Sequence, residues 1–318
     1  MKFETFVKQK KDTWNRLNTL IDAGIGLSSI REEDLSEMVR LYRSVSADYA
    51  YAKANYPYDR VVVELNTLMG RAHTAIYGSQ PFRWKKLSDF FFSEFPNTFR
   101  RYFRLTLWAF LIFLVAAIFS FTGSMSNPQL PQYILGDYYV NMTLDNIKND
   151  DPFAVYKQAD SPVMSSFIMT NNIKVTFFAY GMGILAGVGT VYVMFYNGLM
   201  LGVFFFVFYQ HGLWKESLAT VMLHGTIELT CIFIAGGAGL LIGKALVFPQ
   251  SYTRREALKI YGLDSIKMIL GVAPLLIIAG LIEGFVTRID MAIEFKFFFI
   301  FANVCFLIWY LGLLGRKN

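Results

Sequence analysis

The sequence is poor in charged residues, in cysteine and in histidine. Charged residues make up 17% of the 318 positions and hydrophobic residues 54%, whereas ordinary soluble domains are roughly 25% charged. Both cysteines, Cys231 and Cys305, fall in apolar segments, which argues against a disulfide scaffold. Together with a mean hydropathy of +0.38, this composition indicates an integral membrane protein.

Several signatures of enzymes and nucleic-acid-binding proteins are also missing. No phosphate-binding glycine loop precedes a Lys-Ser or Lys-Thr pair, and no Gly-x-Ser-x-Gly elbow is present. The net charge of +6 follows the pattern expected for membrane topology, so it gives no reason to expect nucleic acid. We therefore predict no catalytic residues and no cofactor.

The N-terminal part lacks any run close to the roughly 18 to 20 apolar residues that a membrane span requires. In the stretch REEDLSEMVRLYRSVSADYAYAKANY, apolar residues recur at helical spacing behind an acidic first turn. No cleavable signal peptide is visible, because the chain opens on a polar, charged stretch. We predict a cytoplasmic helical domain over residues 1–80.

Residues 81–104 alternate aromatic clusters with cations, among them Trp84, Lys85, Arg100 and Arg101. Such a segment can lie in the headgroup plane, with its rings toward the acyl chains and its cations against anionic lipid. Alternatively, the aromatic residues pack the N-terminal domain against the membrane helices. We predict an amphipathic interfacial or elbow segment that contacts membrane lipid.

Residues 105–318 read as a transmembrane domain with an external loop at about 123–170. The second and third apolar segments are separated only by Asn197-Gly198, a good turn pair, and the third is short enough to be re-entrant. The predicted fold is an all-α polytopic membrane helix bundle with an N-terminal cytoplasmic helical domain. We place its six spans near 105–122, 172–193, 198–213, 217–243, 266–287 and 295–314.

The distribution of lysine and arginine predicts the orientation of the bundle. The segment before the first span ends in Arg100, Arg101 and Arg104, whereas residues 123–165 hold five aspartates and two lysines. The loop between the fourth and fifth spans and the C-terminus are basic again. Because cationic flanks stay in the cytoplasm, we predict a multipass protein of the inner (cytoplasmic) membrane with both termini cytoplasmic.

Two ionisable residues interrupt the apolar run VMLHGTIELTCIFIAGGAGLLIG. A charge at membrane depth costs roughly 2.5 to 3.5 kcal/mol on insertion scales, and residues four apart share one face of a helix, so His224 and Glu228 can meet. We predict an intramembrane polar site formed by these two residues with Glu283, Asn172 and Asn197. Such a site could bind an ion, a proton or a substrate, or it could be a buried pair that fixes helix packing.

Glycine follows the polar pair in the same run. Gly225, Gly236, Gly237 and Gly239 would leave a smooth surface where another helix backbone can approach closely. We predict that these glycines pack helices together.

Metal binding is the weaker interpretation of the polar residues. One histidine and two glutamates could form a three-ligand site with an open position, as in catalytic zinc centres. The sequence contains no His-Glu-x-x-His motif, however. We therefore predict no metal.

Five separated runs resemble the stage II sporulation protein M family of multipass membrane proteins from bacteria and archaea. The runs are LYRSVSADYAYAKANYP, LNTLMGRAHTAIYG, FFFSEFPNTFRR, LHGTIELTCIFIAGGAGLLIG and AGLIEGFVT. By this resemblance, the family's motifs fall on Arg71, Ala72 and His73, on His224, Gly225, Glu228 and Leu229, and on Ile282, Glu283 and Gly284. The namesake belongs to an envelope complex that remodels peptidoglycan during engulfment, and many relatives occur in organisms that make no spores.

Three functions remain open at this point. The resemblance implies a subunit or scaffold of a prokaryotic cell-envelope complex, either as a homo-oligomer or with other envelope proteins. The buried ionisable residues favour instead an ion- or proton-coupled channel or transporter. A membrane-embedded hydrolase is the third possibility and depends almost wholly on His224 and Glu228.

Overall fold

A computed structural model describes residues 2–24, 32–77, 84–154, 162–289 and 291–316. Every regular element in these ranges is a helix, which confirms the predicted all-α class. The chain divides into two compact units, Met1–Arg83 and Trp84–Asn318. The boundary predicted near residue 80 falls within residues 78–83, outside the described ranges.

The described part of the first unit consists of helices α1 (Phe3–Gly24), α2 (Glu32–Asn55) and α3 (Arg60–Tyr77). Their apolar faces form a core of their own. Its largest fully buried side chains are Phe6, Leu17, Ile21, Met38 and Leu65. Burial of these apolar side chains gives the unit a hydrophobic core of its own.

The second unit begins with two short helices and continues with longer ones. In chain order the helices are α4 (Trp84–Asp89), α5 (Phe95–Arg101), α6 (Phe103–Ser126), α7 (Leu130–Leu135), α8 (Asp137–Lys148), α9 (Pro162–Gly181), α10 (Val188–Gln210), α11 (Trp214–Val247), α12 (Arg254–Leu281) and α13 (Ile293–Leu307). Turns of π-helix follow α4 at Phe90–Glu94, α12 at Ile282–Val286 and α13 at Ile308–Leu313.

Five helical segments of this unit are long and apolar enough to cross a membrane. They are Phe103–Ser126, Val188–Gln210, Trp214–Val247, Arg254–Val286 and Ile293–Leu313. Helix α9 is not among them, and it carries Asn171, Asn172 and Lys174 along its length. The predicted six spans thus correspond to five apolar segments and one more polar helix.

Contacts between helices show the direction in which each one runs. Gly198 of α10 lies against Phe113 of α6, and Gly202 lies against Ala117 one turn later, so α6 and α10 are parallel. Helix α11 is antiparallel to both. Its Gly243 lies beside Gly187, at the start of α10, whereas its Gly236 lies beside residues further along both α10 and α6.

The remaining helices follow the same alternation around α11. Helix α12 is antiparallel to α11, because Val272 contacts Cys231 and the later Thr287 contacts the earlier His224. Helix α13 is parallel to α11, since the Lys296 Nζ donates to Thr220 Oγ1 at 3.0 Å and the Asn303 side chain donates to the Leu223 carbonyl at 2.8 Å.

Helix α9 runs parallel to α11, and this completes an alternating set of six helices. Asn172 lies beside Glu228, and Ala179 lies beside Gly239. The two ends of the second unit therefore meet on one side, where Asn97 donates to the Gly315 carbonyl at 3.1 Å. We call this side the terminal end of the bundle and the other side the opposite end.

The turn predicted at Asn197-Gly198 is wrong, because α10 continues through both residues. A Cβ on Gly198 would overlap the backbone of Phe113, so this glycine permits helix packing and not a turn. The chain turns instead before α10, where Ala186 and Gly187 have φ values of 56° and 83°. The predicted spans 172–193 and 198–213 are therefore replaced by α9 and α10.

Candidate intramembrane polar site

Helix α11 places His224 and Glu228 on one buried face. Their side chains lie one turn apart, with His224 Nε2 at 4.0 Å from Glu228 Oε2. The two residues are only 4% and 8% exposed. The predicted meeting of imidazole and carboxyl group is therefore present inside the bundle.

The π-helical turn Ile282–Val286 supplies the second carboxyl group and leads to a hydroxyl group. Glu283 lies within this turn and Thr287 follows it. The Thr287 Oγ1 lies 3.2 Å from His224 Nδ1 and donates to the Ile282 carbonyl at 3.3 Å. With its proton given to that carbonyl, the hydroxyl group can accept a hydrogen bond from Nδ1–H. Single π-helical turns occur frequently at functional sites.

Glu228 and Glu283 form a buried carboxyl pair. Glu228 interacts with the Glu283 carboxyl group and with the side chain of Asn172. Glu283 is 5% exposed, and its Oε1 has no hydrogen-bond partner among the residues that the structure describes. Two buried carboxylates repel each other and each has lost its water, so a proton held by one of them stabilises the pair.

Other groups surround the pair unequally on its two sides. Arg288, just beyond the π-helical turn, interacts electrostatically with Glu283. Toward the terminal end, Cys231 is buried and its Sγ lies 3.9 Å from the Val272 carbonyl. Apolar residues such as Ile234 continue from there. Polar groups thus reach the site from the opposite end, and an apolar layer separates it from the terminal end.

The structure brings together His224, Glu228, Glu283 and Asn172 from the predicted set. Asn197 lies on α10, where its side chain donates to the Val193 carbonyl of the same helix at 2.8 Å. Within the described ranges we find no contact from Asn197 to the other side chains of the site. Among the residues that the structure describes, no group of three or more His, Cys, Asp or Glu residues is placed to hold a metal ion.

The predicted packing glycines differ in what they touch. A Cβ on Gly236 would overlap Met194 of α10 and Ala109 of α6, and a Cβ on Gly237 would overlap Thr106. Gly239 lies against α9 and α10. Gly225 meets only side chains of its own helix at ordinary contact distance, so close approach does not require a glycine there.

The segment expected at the membrane interface has exposed and tethered parts. Trp84 is 77% exposed and Lys85 is also exposed. Arg100 donates to the Leu311 carbonyl at 2.8 Å, and Arg101 contacts Asp264 at 3.4 Å. Trp84 and Lys85 thus lie at the surface of the unit, whereas the two arginines join α5 to other helices of the unit. Residues 81–83 of this segment lie outside the described ranges.

Next to these arginines, the Tyr102 hydroxyl donates to Asp264 Oδ2 at 2.8 Å. Burial and this hydrogen bond raise the pKa of Tyr102 to about 12. The phenol therefore stays protonated at physiological pH and serves as a hydrogen-bond donor.

Sequence reasoning missed Thr287, Lys296 and Asn303. Each contacts α11 in the stretch that begins at Thr220 and contains His224. Lys296 and Asn303 lie seven positions apart in the run IEFKFFFIFANVCFL, where polar residues in an apolar helix are a detectable signal. Thr287 follows Glu283 by one helical turn, which is also visible in the sequence.

Comparisons with known proteins divide the chain in two. A family model described as stage II sporulation protein M matches residues 107–288, and a model described as a domain of unknown function matches residues 4–78. No curated protein and no solved structure matches the chain. The first match contains His224, Glu228, Glu283 and Asn172, whereas the runs LYRSVSADYAYAKANYP and LNTLMGRAHTAIYG fall within the second.

Proposed function

Since the chain belongs to the stage II sporulation protein M family and is a multipass membrane protein, we propose that it is a proton-coupled channel or transporter. His224, Glu228 and Glu283 are its proton-binding groups. The observation that carries this proposal is the buried carboxyl pair, in which Glu283 Oε1 has no hydrogen-bond partner in the described part of the chain.

A purely structural pair would satisfy its polar atoms, because each buried polar atom left unpaired costs stability. The unpaired Glu283 Oε1 could instead bind an exchangeable proton. Glu228 and Glu283 can share one proton, and His224 can accept it while Thr287 holds the imidazole ring in place. Ionisable groups at membrane depth commonly form such proton relays.

The proposal includes an orientation in the cytoplasmic membrane. Lys244, Arg254 and Lys259 lie at or near the terminal end of the bundle, so this end and both chain termini would face the cytoplasm. The polar site would then open outward through the opposite end. A cysteine introduced at Asp151 in a Cys305→Ser background should react with an impermeant reagent from outside; reaction only after opening the cytoplasm would contradict this orientation.

Proton flux into proteoliposomes tests the proposed function. With a pH-sensitive dye inside and an imposed membrane potential, the wild-type chain should acidify the lumen. Glu228→Gln and Glu283→Gln should each slow acidification about tenfold or more, because an amide cannot take up and release the proton. Glu294→Gln, at an exposed carboxylate in the first turn of α13, is the matched control and should leave the rate unchanged.

Thermal unfolding separates this result from a folding defect. If both Gln variants keep the wild-type unfolding temperature and lose flux, the site is functional. If the wild-type chain gives no flux above protein-free vesicles at either polarity of the potential, the proposed function is wrong. Wild-type flux that is unchanged in both Gln variants would exclude the carboxyl pair as its site.

A subunit or scaffold of a cell-envelope complex is the second candidate. The observation that favours it is the first unit, which has its own core and its own domain match apart from the membrane helices. In that case His224→Ala and Glu228→Gln should leave the same envelope proteins, or further copies of the chain, bound in mild detergent. A variant that lacks the first unit should lose them.

A further inference from the structure

Helix α9 carries a stripe of polar and aromatic side chains on the outside of the bundle. Thr170, Asn171, Lys174, Phe177 and Phe178 are all exposed, and their spacing of three and four residues places them on one face of the helix. We call this face the α9 outer face. We propose that it docks a transmembrane helix of a different protein, and that this helix carries an aspartate or glutamate opposite Lys174. The inference does not depend on proton transfer.

Lys174 lies near the middle of the membrane-spanning part of the bundle. Asn172 is beside Glu228 and Ala179 is beside Gly239, so Lys174 falls between these two levels of α11. The same levels hold Phe233, which contacts Phe113 close to the centre of α6. The position of this level along α11 and along α6 therefore puts Lys174 well away from either interface.

Lipid acyl chains would leave the Lys174 ammonium group without a hydrogen-bond acceptor. A lysine near a helix end can extend its stem to the headgroups, but Lys174 is separated from the end of α9 at Gly181 by about two turns, or roughly 10 Å. An ammonium group left in the hydrocarbon costs roughly 2.5 to 3.5 kcal/mol on insertion scales. No hydrogen bond or ion pair joins Lys174 to any residue that the structure describes. A covering surface with an acceptor removes that cost.

The chain does not offer a suitable acceptor from a second copy. In the described parts of its spanning segments, Glu228 and Glu283 are buried in the polar site and Asp264 is bonded to Tyr102. The other carboxylates lie in the first turns of their helices, at Glu216, Glu256 and Glu294. None of them is exposed at the level of Lys174. Charge complementarity therefore points to a carboxylate on a different protein.

Association with synthetic transmembrane peptides tests this proposal. The probe is a single-span leucine–alanine peptide with one Glu at its centre, labelled for energy transfer to the full-length chain in the same bilayer. A peptide with Gln at that position is the comparison. The wild-type chain should bind the Glu peptide about tenfold more tightly than the Gln peptide, because a charge-assisted hydrogen bond is stronger than a neutral one.

Variants of the chain show whether Lys174 causes the difference. Lys174→Met should remove the preference for Glu, and Lys174→Arg should retain it. Lys259→Met, which removes an exposed lysine near the start of α12, is the matched control and should keep the full preference. Equal binding of the two peptides to the wild-type chain, or an unchanged preference in Lys174→Met, would overturn the proposal.

A cysteine at position 174 distinguishes the other occupants. In a Cys305→Ser background, which removes the exposed native cysteine, Lys174→Cys should form no disulfide between copies in the bilayer. It should also resist a charged, water-soluble thiol reagent. Efficient disulfide formation would assign the face to a second copy, and rapid labelling would assign it to a water-filled groove; either result would contradict the proposal.

Discussion

The two units of the chain expose and bury opposite kinds of side chain. In the first unit, an ion pair lies at the surface, where Arg16 Nη2 is 2.8 Å from Glu37 Oε2. In the second unit, the surface presents large apolar side chains such as Phe119 and Phe301, each 66% exposed, while Glu228 is buried. Each unit thus places on its surface the groups that its surrounding medium solvates well.

The difference extends to what stabilises each unit. In water, burial of apolar side chains drives helices together. Between helices in lipid that driving force is absent, so close backbone packing and polar contacts take its place. Removal of a core side chain should therefore be most harmful in the first unit, and enlargement of a packing glycine should be most harmful in the second.

The largest effect is expected from Leu17→Ala. Leu17 is fully buried in the core of the first unit, and truncation of a buried leucine costs about 2 to 5 kcal/mol. Hydrogen exchange of the full-length chain in detergent, read by mass spectrometry, should accelerate throughout α1 to α3. Leu35→Ala, at a residue that is 38% exposed on α2, is the control and should change little. Equal protection in the two variants would contradict the role of this core.

A smaller but substantial effect is expected from Gly183→Ala. A Cβ at this position would overlap the backbone of Gly239, and overpacking of a tight contact costs about 1 to 3 kcal/mol. The unfolding temperature of the detergent-solubilised chain should fall. Gly181→Ala meets nothing within 4 Å and should leave that temperature near the wild-type value. If the Gly183→Ala chain were as stable as the Gly181→Ala chain, the contact between Gly183, in the turn before α10, and Gly239 of α11 would not be tight.

Thr287→Val should cost about 1 kcal/mol, the usual contribution of one hydrogen bond. The substitution keeps the side-chain shape but leaves His224 Nδ1 without the Thr287 hydroxyl group. Thermal unfolding in detergent measures the loss. The control is Thr122→Val, because Thr122 is exposed and bonds only to carbonyls of its own helix. If both valine variants unfold alike, the hydrogen bond between His224 and Thr287 adds nothing to stability.

The smallest effect is expected from Glu37→Gln, and it should depend on pH. The hydrogen bond from Arg16 lowers the pKa of Glu37 from its ordinary value of 4.5. A carboxyl group with a lowered folded-state pKa stabilises the fold above its ordinary pKa, and this contribution is lost as the pH falls through the folded-state value. At pH 7, hydrogen exchange in α1 and α2, corrected for intrinsic rates, should therefore be slightly faster in the variant than in the wild-type chain. The difference should shrink as the pH falls below 4.5 and through the folded-state pKa of Glu37.

Part of the membrane unit could be predicted from the sequence because the relevant signals are local. Long apolar runs located α6, α11, α12 and α13, and the four-residue spacing of His224 and Glu228 on a helix placed them on one face. The turn before α10 could not be predicted in this way, because its sequence GMGILAG has the composition of a membrane span. Its left-handed φ at Ala186 and Gly187 depends on the packing of that turn against α11 at Gly239 and Gly243.

The polar site was predictable to a similar degree. Glu283 and Asn172 could be placed with the pair on α11 because all three helices carry a polar residue in the same half of the bundle. The contact from His224 to Thr287 depends on the π-helical turn Ile282–Val286, which precedes Thr287, and on the rotation of α12 about its own axis. A hydrophobic pattern specifies neither of them. Asn197 was misplaced because its side chain bonds to its own helix instead of facing α11.

The tight turn at Met182–Gly187 has a consequence for biogenesis. Helix α9, with Asn171, Asn172 and Lys174, is a weak substrate for the translocon by itself, since such residues oppose partitioning into lipid. The apolar α10 follows it after only this short turn, so the two helices can enter the bilayer together as a hairpin. We expect that a chain truncated within α10 leaves α9 on the outer side, accessible to glycosylation in a microsomal insertion assay. A chain extended through α11 should integrate it fully.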